Sequence, residues 1–530
     1  MGAPAATIPA LVDRAAETFG DREALVDGDV SLTFTEYRDQ IRMAARAFMA
    51  HGVEPGDTVA VWAPNIWEWP IAALGAHLAG AVLVPINTRF KGREASYVME
   101  KAKVRFLFTV TDFLHTDYVE LLQSQSLTPS SAGSLTTVVM RGDVPDDCVA
   151  FSDFMARADD VAEVDRAVRS AAVIPEDLCH IMFTSGTTGA PKGAMLMHGP
   201  TCRAYQSWAD VVGLRAGDRY LIVNPFFHSF GMNAGILACL MNGATNLPHP
   251  VFDVPQVMAR VDADRISMLP GPPAIYQTIL NHPELASFDL SNLRLAVTGA
   301  AAIPVKMIED MRSVLGFETV VTGYGLTEAH GIATMCRHDD DAHTIATTSG
   351  RALDDVEVLV VDTTGEELAR GQPGEIVVRG YNIMRGYLDD PEQTAAAIDA
   401  AGWLHTGDIG VMDDRGYIDI TDRLKDMFIV GGFNAYPAEI ENTLMTHPQV
   451  GAAAVIGVAD ERMGEVGCAF LVPKPGEDID TDQVINWCRA EMANYKVPRR
   501  IEVVSELPLN ASGKVLKYEL RERVMGEPND

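Results

Sequence analysis

Thr184-Ser-Gly-Thr-Thr-Gly-Ala-Pro-Lys-Gly193 follows directly on the apolar Ile181-Met-Phe183. Three glycines, four hydroxyl side chains and one lysine share these ten positions. Glycines let backbone N–H groups crowd an anion with no Cβ in the way, and Ser or Thr hydroxyls add donors, so a loop of this composition suits phosphates. It departs from GxxxxGK[ST], because Ala194 follows Lys192-Gly193 and offers no hydroxyl to a metal ion. Gly and Thr would also suit a plain polar hairpin between two strands. The length of the stretch and its place after a buried strand favour nucleotide phosphates.

Outward from that loop, strands alternate with helices. Helical spacing covers 8–19 and 36–49, where Tyr37, Ile41, Ala44, Ala45 and Phe48 recur every three or four residues behind Thr35 as N-cap. Thr58-Val-Ala-Val-Trp62 is a short buried strand, and Pro64-Asn65 opens a helix carrying Trp67 and Trp69. Residues 81–84 and 106–110 are further apolar strands. Such alternation implies a largely parallel sheet covered on both faces. Asn87 and Thr88, just past a strand, are ligand contacts or turn caps. The Ser- and Thr-rich 124–137 reads as a solvated connection.

A chain of 530 residues exceeds the roughly 250–300 at which one core stops growing, so at least two domains are expected. The net charge of −31 argues against nucleic acid and anionic membrane surfaces as partners. Polyanionic ligands must then be met by local basic or N–H groups. Seven cysteines, at 148, 179, 202, 239, 336, 468 and 488, form no CxxC and no Cys/His metal spacing, which suits reduced thiols in a cytoplasmic protein. No signal peptide is evident, and the most apolar region, 71–86, is broken by Gly75, His77, Gly80 and Pro85, so no membrane span is expected.

Further along, Tyr220-Leu-Ile-Val-Asn-Pro-Phe-Phe-His-Ser-Phe-Gly231 is a strand running into aromatics and His228. A histidine among apolar neighbours is often only a satisfied core residue. Leu295-Ala-Val-Thr-Gly-Ala-Ala-Ala302 is a strand ending in small residues, which would let a planar ligand lie against the backbone. Val320-Val-Thr-Gly-Tyr-Gly-Leu-Thr-Glu328 again turns from strand to polar loop. Glu375-Ile-Val-Val-Arg379 reads as an alternating strand of a smaller β subregion, and Gly402-Trp-Leu-His-Thr-Gly-Asp408 supplies a carboxylate after a turn. From Asp422-Arg-Leu-Lys-Asp-Met-Phe-Ile-Val-Gly-Gly432 to Leu507-Pro-Leu-Asn-Ala-Ser-Gly-Lys514 the chain reads as a small α/β domain.

These blocks, in this order, closely resemble the AMP-forming adenylating enzymes: acyl-CoA synthetases, luciferases and peptide-synthetase adenylation domains. The resemblance covers essentially the whole chain. It implies an α/β fold with a large N-terminal domain of parallel-sheet layers plus a β subregion (1–424), and a small mobile C-terminal α/β domain (425–530). It implies ATP, Mg²⁺ and coenzyme A as cofactor and co-substrates, and a small-molecule carboxylic acid as partner, and it leaves a homodimer open. Thr184, Ser185, Gly186, Thr187, Thr188, Gly189 and Lys192 would cradle phosphates, with Thr184 also counted as catalytic. Gly299, Ala300, Ala301, Gly323 and Gly325 would back the adenine, and His228, Gly299 and Gly325 the acid. Tyr324 would stack on adenine, Thr327 would bond phosphate, and Glu328 would hold Mg²⁺. Asp408 and Arg423 would bond the ribose, and Lys425 would be the hinge. Gly431 and Gly432 would line a pantetheine channel, and Lys514 would be the catalytic lysine. Val430 departs from the pattern, where relatives often carry a polar or basic side chain.

Within the family, 224–231, 269–276 and 324–351 resemble ligases acting on a two-ring steroid remnant, methylhexahydroindanedione propanoate. A medium- or long-chain fatty acyl-CoA synthetase is the alternative, and a luciferase-like oxygenase shares every motif. An amino-acid adenylation module should carry an acid near 227–235, and none is there. A catalytically dead nucleotide-binding protein would not need Glu328, Asp408, Arg423 and Lys514 together.

Overall fold

The strand leading into the glycine-rich loop, Leu178–Thr184, lies inside an eight-stranded sheet. From one edge the order is Gly386–Tyr387, Lys192–Met197, Leu178–Thr184, Val82–Pro85, Thr58–Trp62, Phe106–Val110, Thr136–Arg141 and Val149–Ala150. Neighbours from Leu178–Thr184 to Val149–Ala150 pair in parallel. Gly386–Tyr387 closes the other edge antiparallel, through Gly386↔Met195 and Tyr387↔Ala194. Every residue of Thr58–Trp62, Val82–Pro85 and Phe106–Val110 is buried, as a sheet covered on both faces requires. This computed structural model describes residues 5–123, 135–184, 191–299, 303–362, 364–423, 428–435, 437–508, 515 and 517–525.

The helices obey local chemistry, with two corrections to the expected boundaries. The second helix is Phe34–Ala50 and its cap is Thr33, not Thr35. Thr33 Oγ1 accepts the Glu36 N–H at 3.2 Å and the Glu36 carboxylate accepts the Thr33 N–H at 2.9 Å, a reciprocal capping box that Thr35 cannot make. The third helix, Glu68–Leu78, starts after Pro64-Asn65 and buries every residue. It crosses Phe34–Ala50 closely: a Cβ on Gly75 would lie 2.5 Å from Ala44 Cβ. Of the connection expected over 124–137, residues 124–134 fall outside the described residues, while Thr136 already opens a strand.

A second sheet runs Arg219–Ile222, Thr245–Pro248, Glu23–Asp27, Val30–Thr33. Met268 bridges it in parallel to Leu295–Thr298, which begins a third sheet with Thr319–Tyr324, Thr334–Met335 and Arg351–Ala352. Antiparallel strands Val356–Val361, Pro373–Gly380, Leu404–Met412 and Ile418–Arg423 form the β subregion. Ile376, Val377 and Val378 are buried in succession, so this strand is covered on both faces instead of alternating. Asp408 stands within the strand Leu404–Met412.

The chain divides into two compact units, one of residues 1–88, 96–182 and 193–421, the other of 89–95, 183–192 and 422–530. In the second, Phe433–Ala435, Phe428–Val430, Gly464–Pro473 and Val450–Asp460 form a sheet that Arg500–Val503 extends in parallel. Helices Pro437–Leu444 and Thr481–Glu491 close its core, where Ile440, Leu444, Val455, Leu471 and Val484 meet. No helix among the described residues is long and apolar enough to cross a membrane.

Candidate active site

The elbow carrying His228 is held by a residue whose role the sequence disguised. Asn65 Nδ2 donates to the carbonyls of Ile222 and Asn224, each at 2.9 Å, and its Oδ1 accepts the Phe226 N–H at 2.8 Å. One buried amide thereby fixes the exit from the strand Arg219–Ile222. At Gly231 a Cβ would lie 2.1 Å from the Pro225 carbonyl oxygen, so only glycine closes the turn. The His228 side chain is exposed, and its Nδ1 accepts the Phe230 N–H at 3.2 Å, which leaves the proton of the neutral ring on Nε2. A π-helix, Phe230–Leu237, follows.

Strands Leu295–Thr298 and Thr319–Tyr324 end side by side, with Thr298 opposite Thr322. A Cβ on Gly299 would lie 3.2 Å from Thr322 Oγ1 and 3.5 Å from the Gly323 carbonyl oxygen, so the expected glycines do meet. Gly325 is tighter: its Cβ would fall 2.3 Å from the Gly331 carbonyl oxygen. Ala300 and Ala301 lie outside the described residues.

Between these glycines, Tyr324 points its hydroxyl at Asp408, donating to Oδ2 at 2.6 Å, and both side chains are buried. Eighty-four positions separate this pair. The Asp408 N–H is itself anchored on Thr406 Oγ1 at 3.1 Å. Thr327 opens the short turn Thr327–Ala329 that contains Glu328. Glu328 Oε1 accepts the Tyr387 hydroxyl at 2.8 Å, and its carbonyl accepts the Met384 N–H at 2.8 Å.

His330, in the left-handed region at φ 53°, locks this turn. Its Nδ1–H donates to the Asn382 carbonyl at 2.7 Å, and its Nε2 accepts the Met197 N–H at 3.2 Å. Burial pushes its pKa down to about 4, so the ring stays neutral and can serve both bonds. Asn382 Nδ2 donates to the Ile332 carbonyl at 2.8 Å. The same connection gives the Arg385 N–H to Met195 and the Leu388 N–H to the Gly193 carbonyl, at 2.9 and 2.8 Å. Residues 382–388 thus sew the Glu328 turn to the strand that leaves the glycine-rich loop.

Of that loop, Thr184 and Lys192 are described: Thr184 Oγ1 donates to the Lys192 carbonyl at 3.5 Å, closing its neck. Ser185, Gly186, Thr187, Thr188 and Gly189 lie outside the described residues, as do Lys425 and Lys514. In the second unit, Arg423 ends the strand Ile418–Arg423, and Gly431 and Gly432, at φ 55° and 84°, turn the chain between two strands. Among the described residues no group of three or more His, Cys, Asp or Glu side chains could hold a metal ion. Glu328 offers a single carboxylate, a donor set that suits Mg²⁺ brought in on phosphate oxygens better than a resident metal.

Tyr387, Asn382, His330 and Asn65 are the residues that sequence reasoning missed. None sits in a periodic or glycine-rich pattern, and each acts on a partner that only the fold brings near.

Known proteins resemble this chain over nearly its whole length. The family described as AMP-binding enzyme matches residues 12–388, and the AMP-binding enzyme C-terminal domain matches residues 439–514. A 3-[(3aS,4S,7aS)-7a-methyl-1,5-dioxo-octahydro-1H-inden-4-yl]propanoyl:CoA ligase of Rhodococcus jostii is 51% identical, over 97% of this chain and 98% of its own. The like-named ligase of Mycobacterium tuberculosis is 48% identical over 97% and 98%. Among solved structures, the amide bond synthetase of Marinactinospora thermotolerans is 27% identical at a TM-score of 0.82, covering 97% of this chain and 99% of that one.

Proposed function

The chain belongs to the AMP-binding enzyme family, and from that premise we propose that it joins a carboxylic acid to coenzyme A through an acyl-adenylate. The acid is a propanoate borne on a methylated two-ring diketone, a remnant of steroid breakdown. One observation carries the substrate: two ligases named for that acid match 97% of this chain, at 51% and 48% identity.

A carboxylate cannot expel oxide, so it must first be given a leaving group. Its oxygen attacks the α-phosphorus of ATP, a P–O bond forms to the acid, and the bond to pyrophosphate breaks. The thiol of coenzyme A then attacks the acyl carbon, loses its proton to water, and AMP departs. Little covalent help is needed and much charge compensation, which preorganised donors supply. The 184–193 loop takes the β- and γ-phosphates, with Thr184 and Lys192 at its neck, and Thr327 bonds phosphate. Tyr324 stacks on adenine while its hydroxyl steadies Asp408, which accepts the ribose hydroxyls beside Arg423. His228 guards the acid's carboxylate, Gly299, Ala300, Ala301, Gly323 and Gly325 back the adenine, with Gly299 and Gly325 also beside the acid, and Lys514 brings positive charge to the α-phosphate. Glu328 would hold Mg²⁺, which when bound neutralises phosphate charge. Lys425 is the hinge of the 425–530 domain, and Gly431 and Gly432 line the thiol channel. All substrates are soluble, and the cytoplasm is the compartment that holds them together.

Pyrophosphate release with a panel of acids, with and without coenzyme A, tests this. The two-ring diketone propanoate should give the highest kcat/KM, and the acyl-CoA should appear only when the thiol is present. A higher kcat/KM for medium-chain fatty acids, or oxygen uptake in place of thioester, would overturn it.

A further inference from the structure

Asn233 is wholly buried, and among the described residues neither its amide nitrogen nor its amide oxygen is paired in a well-formed hydrogen bond, the Tyr205 phenol being the polar group near enough to feel the amide. Leaving both ends of an amide unpaired costs far more than an apolar side chain of the same shape, so such a group calls for an explanation. Its neighbours along the π-helix Phe230–Leu237 are apolar or glycine, and π-helical turns concentrate at functional sites.

The surroundings of Asn233 lie between positions expected to touch the acid. Ser229 follows His228 directly, and Tyr205, on the helix His198–Val212, stands with Ser229 against the glycine backbone. A Cβ on Gly331, at φ 89°, would fall 2.4 Å from Tyr205 Oη and 2.7 Å from Ser229 Oγ. On its other side Gly331 backs Gly325, as its carbonyl oxygen blocks any Cβ there at 2.3 Å. Trp208 meets Phe230 edge-on at 5.8 Å, giving the same wall an aromatic floor. The Tyr205 phenol is also buried, which pushes its pKa up to about 12, while the adjacent Ser229 and Asn233 pull the other way. This wall between His228 and Gly325 is thus apolar and aromatic, with three neutral polar side chains in it, Tyr205, Ser229 and Asn233. Among the described residues named here none carries a charge that would hold an ammonium or a second carboxylate.

We propose that Asn233, with the Tyr205 hydroxyl beside it, is the hydrogen-bond donor that recognises a ring ketone of the acid. The assignment rests on the substrate proposed above and deepens it: a fatty acid offers the amide nothing to bind, whereas a ring carbonyl accepts from the Asn233 amide N–H. Selectivity follows from the same penalty, because an acid without the ketone leaves the buried amide unpaired.

The test compares kcat/KM for the two-ring diketone propanoate with that for the ketone-free acid of the same ring skeleton. Wild-type protein should prefer the diketone at least ten-fold. In Asn233→Leu, which keeps shape and removes the amide, that ratio should fall ten-fold or more, mainly through KM. Tyr205→Phe, a milder change, should lower it about three-fold, and serves if the leucine variant fails to fold; melting temperature and calorimetric AMP binding report folding. A wild type that accepts ring acids but shows a ratio neither variant moves, as a structural water on Asn233 would give, overturns this assignment alone. A wild type that accepts only straight-chain acids overturns the substrate proposal, and this one with it.

Discussion

Tyr387 illustrates how one hydroxyl can set the aim of a carboxylate. Its O–H donates to Glu328 Oε1 at 2.8 Å, while its backbone is pinned on the strand Lys192–Met197 and its N–H on Thr394 Oγ1. A carboxylate meant for a metal ion gains affinity when a neighbour fixes its orientation, commonly by 10–100-fold. Tyr387→Phe removes only the donor, so the Mg²⁺ concentration giving half-maximal pyrophosphate release should rise about ten-fold at saturating ATP. Direct binding of Mn²⁺ in the presence of ATP, followed by its electron spin resonance, should weaken in parallel. An unchanged metal dependence in both would mean that Glu328 does not need this aim or does not hold the ion. Glu328 is a candidate in the sequence only because its block, Val320 to Glu328, resembles one of the family. Tyr387 is not one, because its partner is 59 positions away and no periodicity spans that gap. Asp408 and Tyr324 show the same limit: each was legible in its own block, yet their mutual hydrogen bond belongs to the fold.

Histidines buried where three elements meet make the molecule sensitive to acid. His77 comes from the helix Glu68–Leu78, His180 from the strand Leu178–Thr184, and His198 from the start of His198–Val212. The His77 ring lies 5.0 Å from that of His180 and 5.4 Å from that of His198. Around them stand Cys179, with Sγ 3.5 Å from His180 Nδ1 and 3.4 Å from Thr201 Oγ1, and the Ile8 N–H, which donates to His198 Nδ1 at 3.3 Å. Burial is the main cause that holds His198 down at about 3 and His77 and His180 well below the ordinary value of 6.5, and each further ring charge would repel the others. The unfolded chain therefore binds protons that the folded one refuses once the pH drops below about 6.5. The stability these rings contribute is complete above that pH and is lost as pH falls toward 3. Thermal melts should accordingly show a falling Tm already between pH 6.5 and 5, before ordinary carboxylates titrate. A Tm flat over that interval would mean that the cluster admits protons without unfolding. At this scale the sequence was readable where a pattern was local. The helix Ile8–Phe19 and the strand Thr58–Trp62 follow from spacing alone. The cap on Phe34–Ala50 was misplaced by two residues because two threonines compete, and the Glu36 side chain decides between them. The π-helix leaves no trace in hydrophobic spacing, since its residues are buried all round after Phe230.

Across the whole chain, ordered blocks identified the family, because phosphate, ribose and metal contacts each demand particular residue types. They could not reveal how strands from 178 to 197 and 386–387 share one sheet, since that pairing spans some two hundred positions and is set by tertiary contact. Two half-reactions with different needs must use this one architecture. Adenylation needs positive charge at the α-phosphate, and thioester formation needs that place cleared for a thiol. If Lys514 supplies the charge, Lys514→Ala should lower adenylation by at least 10²–10³, the usual cost of losing one preorganised donor, while synthetic acyl-AMP is still converted with coenzyme A. If Lys425 is the hinge, Lys425→Pro acts in the opposite sense. Proline fixes φ near −65° and removes an N–H, so it restricts the rotation that exchanges the two arrangements. Adenylation, measured as pyrophosphate release in a single turnover, should survive this change better than acyl-CoA formation from acyl-AMP. Equal losses in both half-reactions for Lys514→Ala would place the lysine outside the phosphate chemistry. Preferential loss of adenylation in Lys425→Pro would move the hinge elsewhere in the chain. The two variants are informative together, because a general loss of stability would depress both half-reactions alike and could not produce opposite patterns from positions 425 and 514.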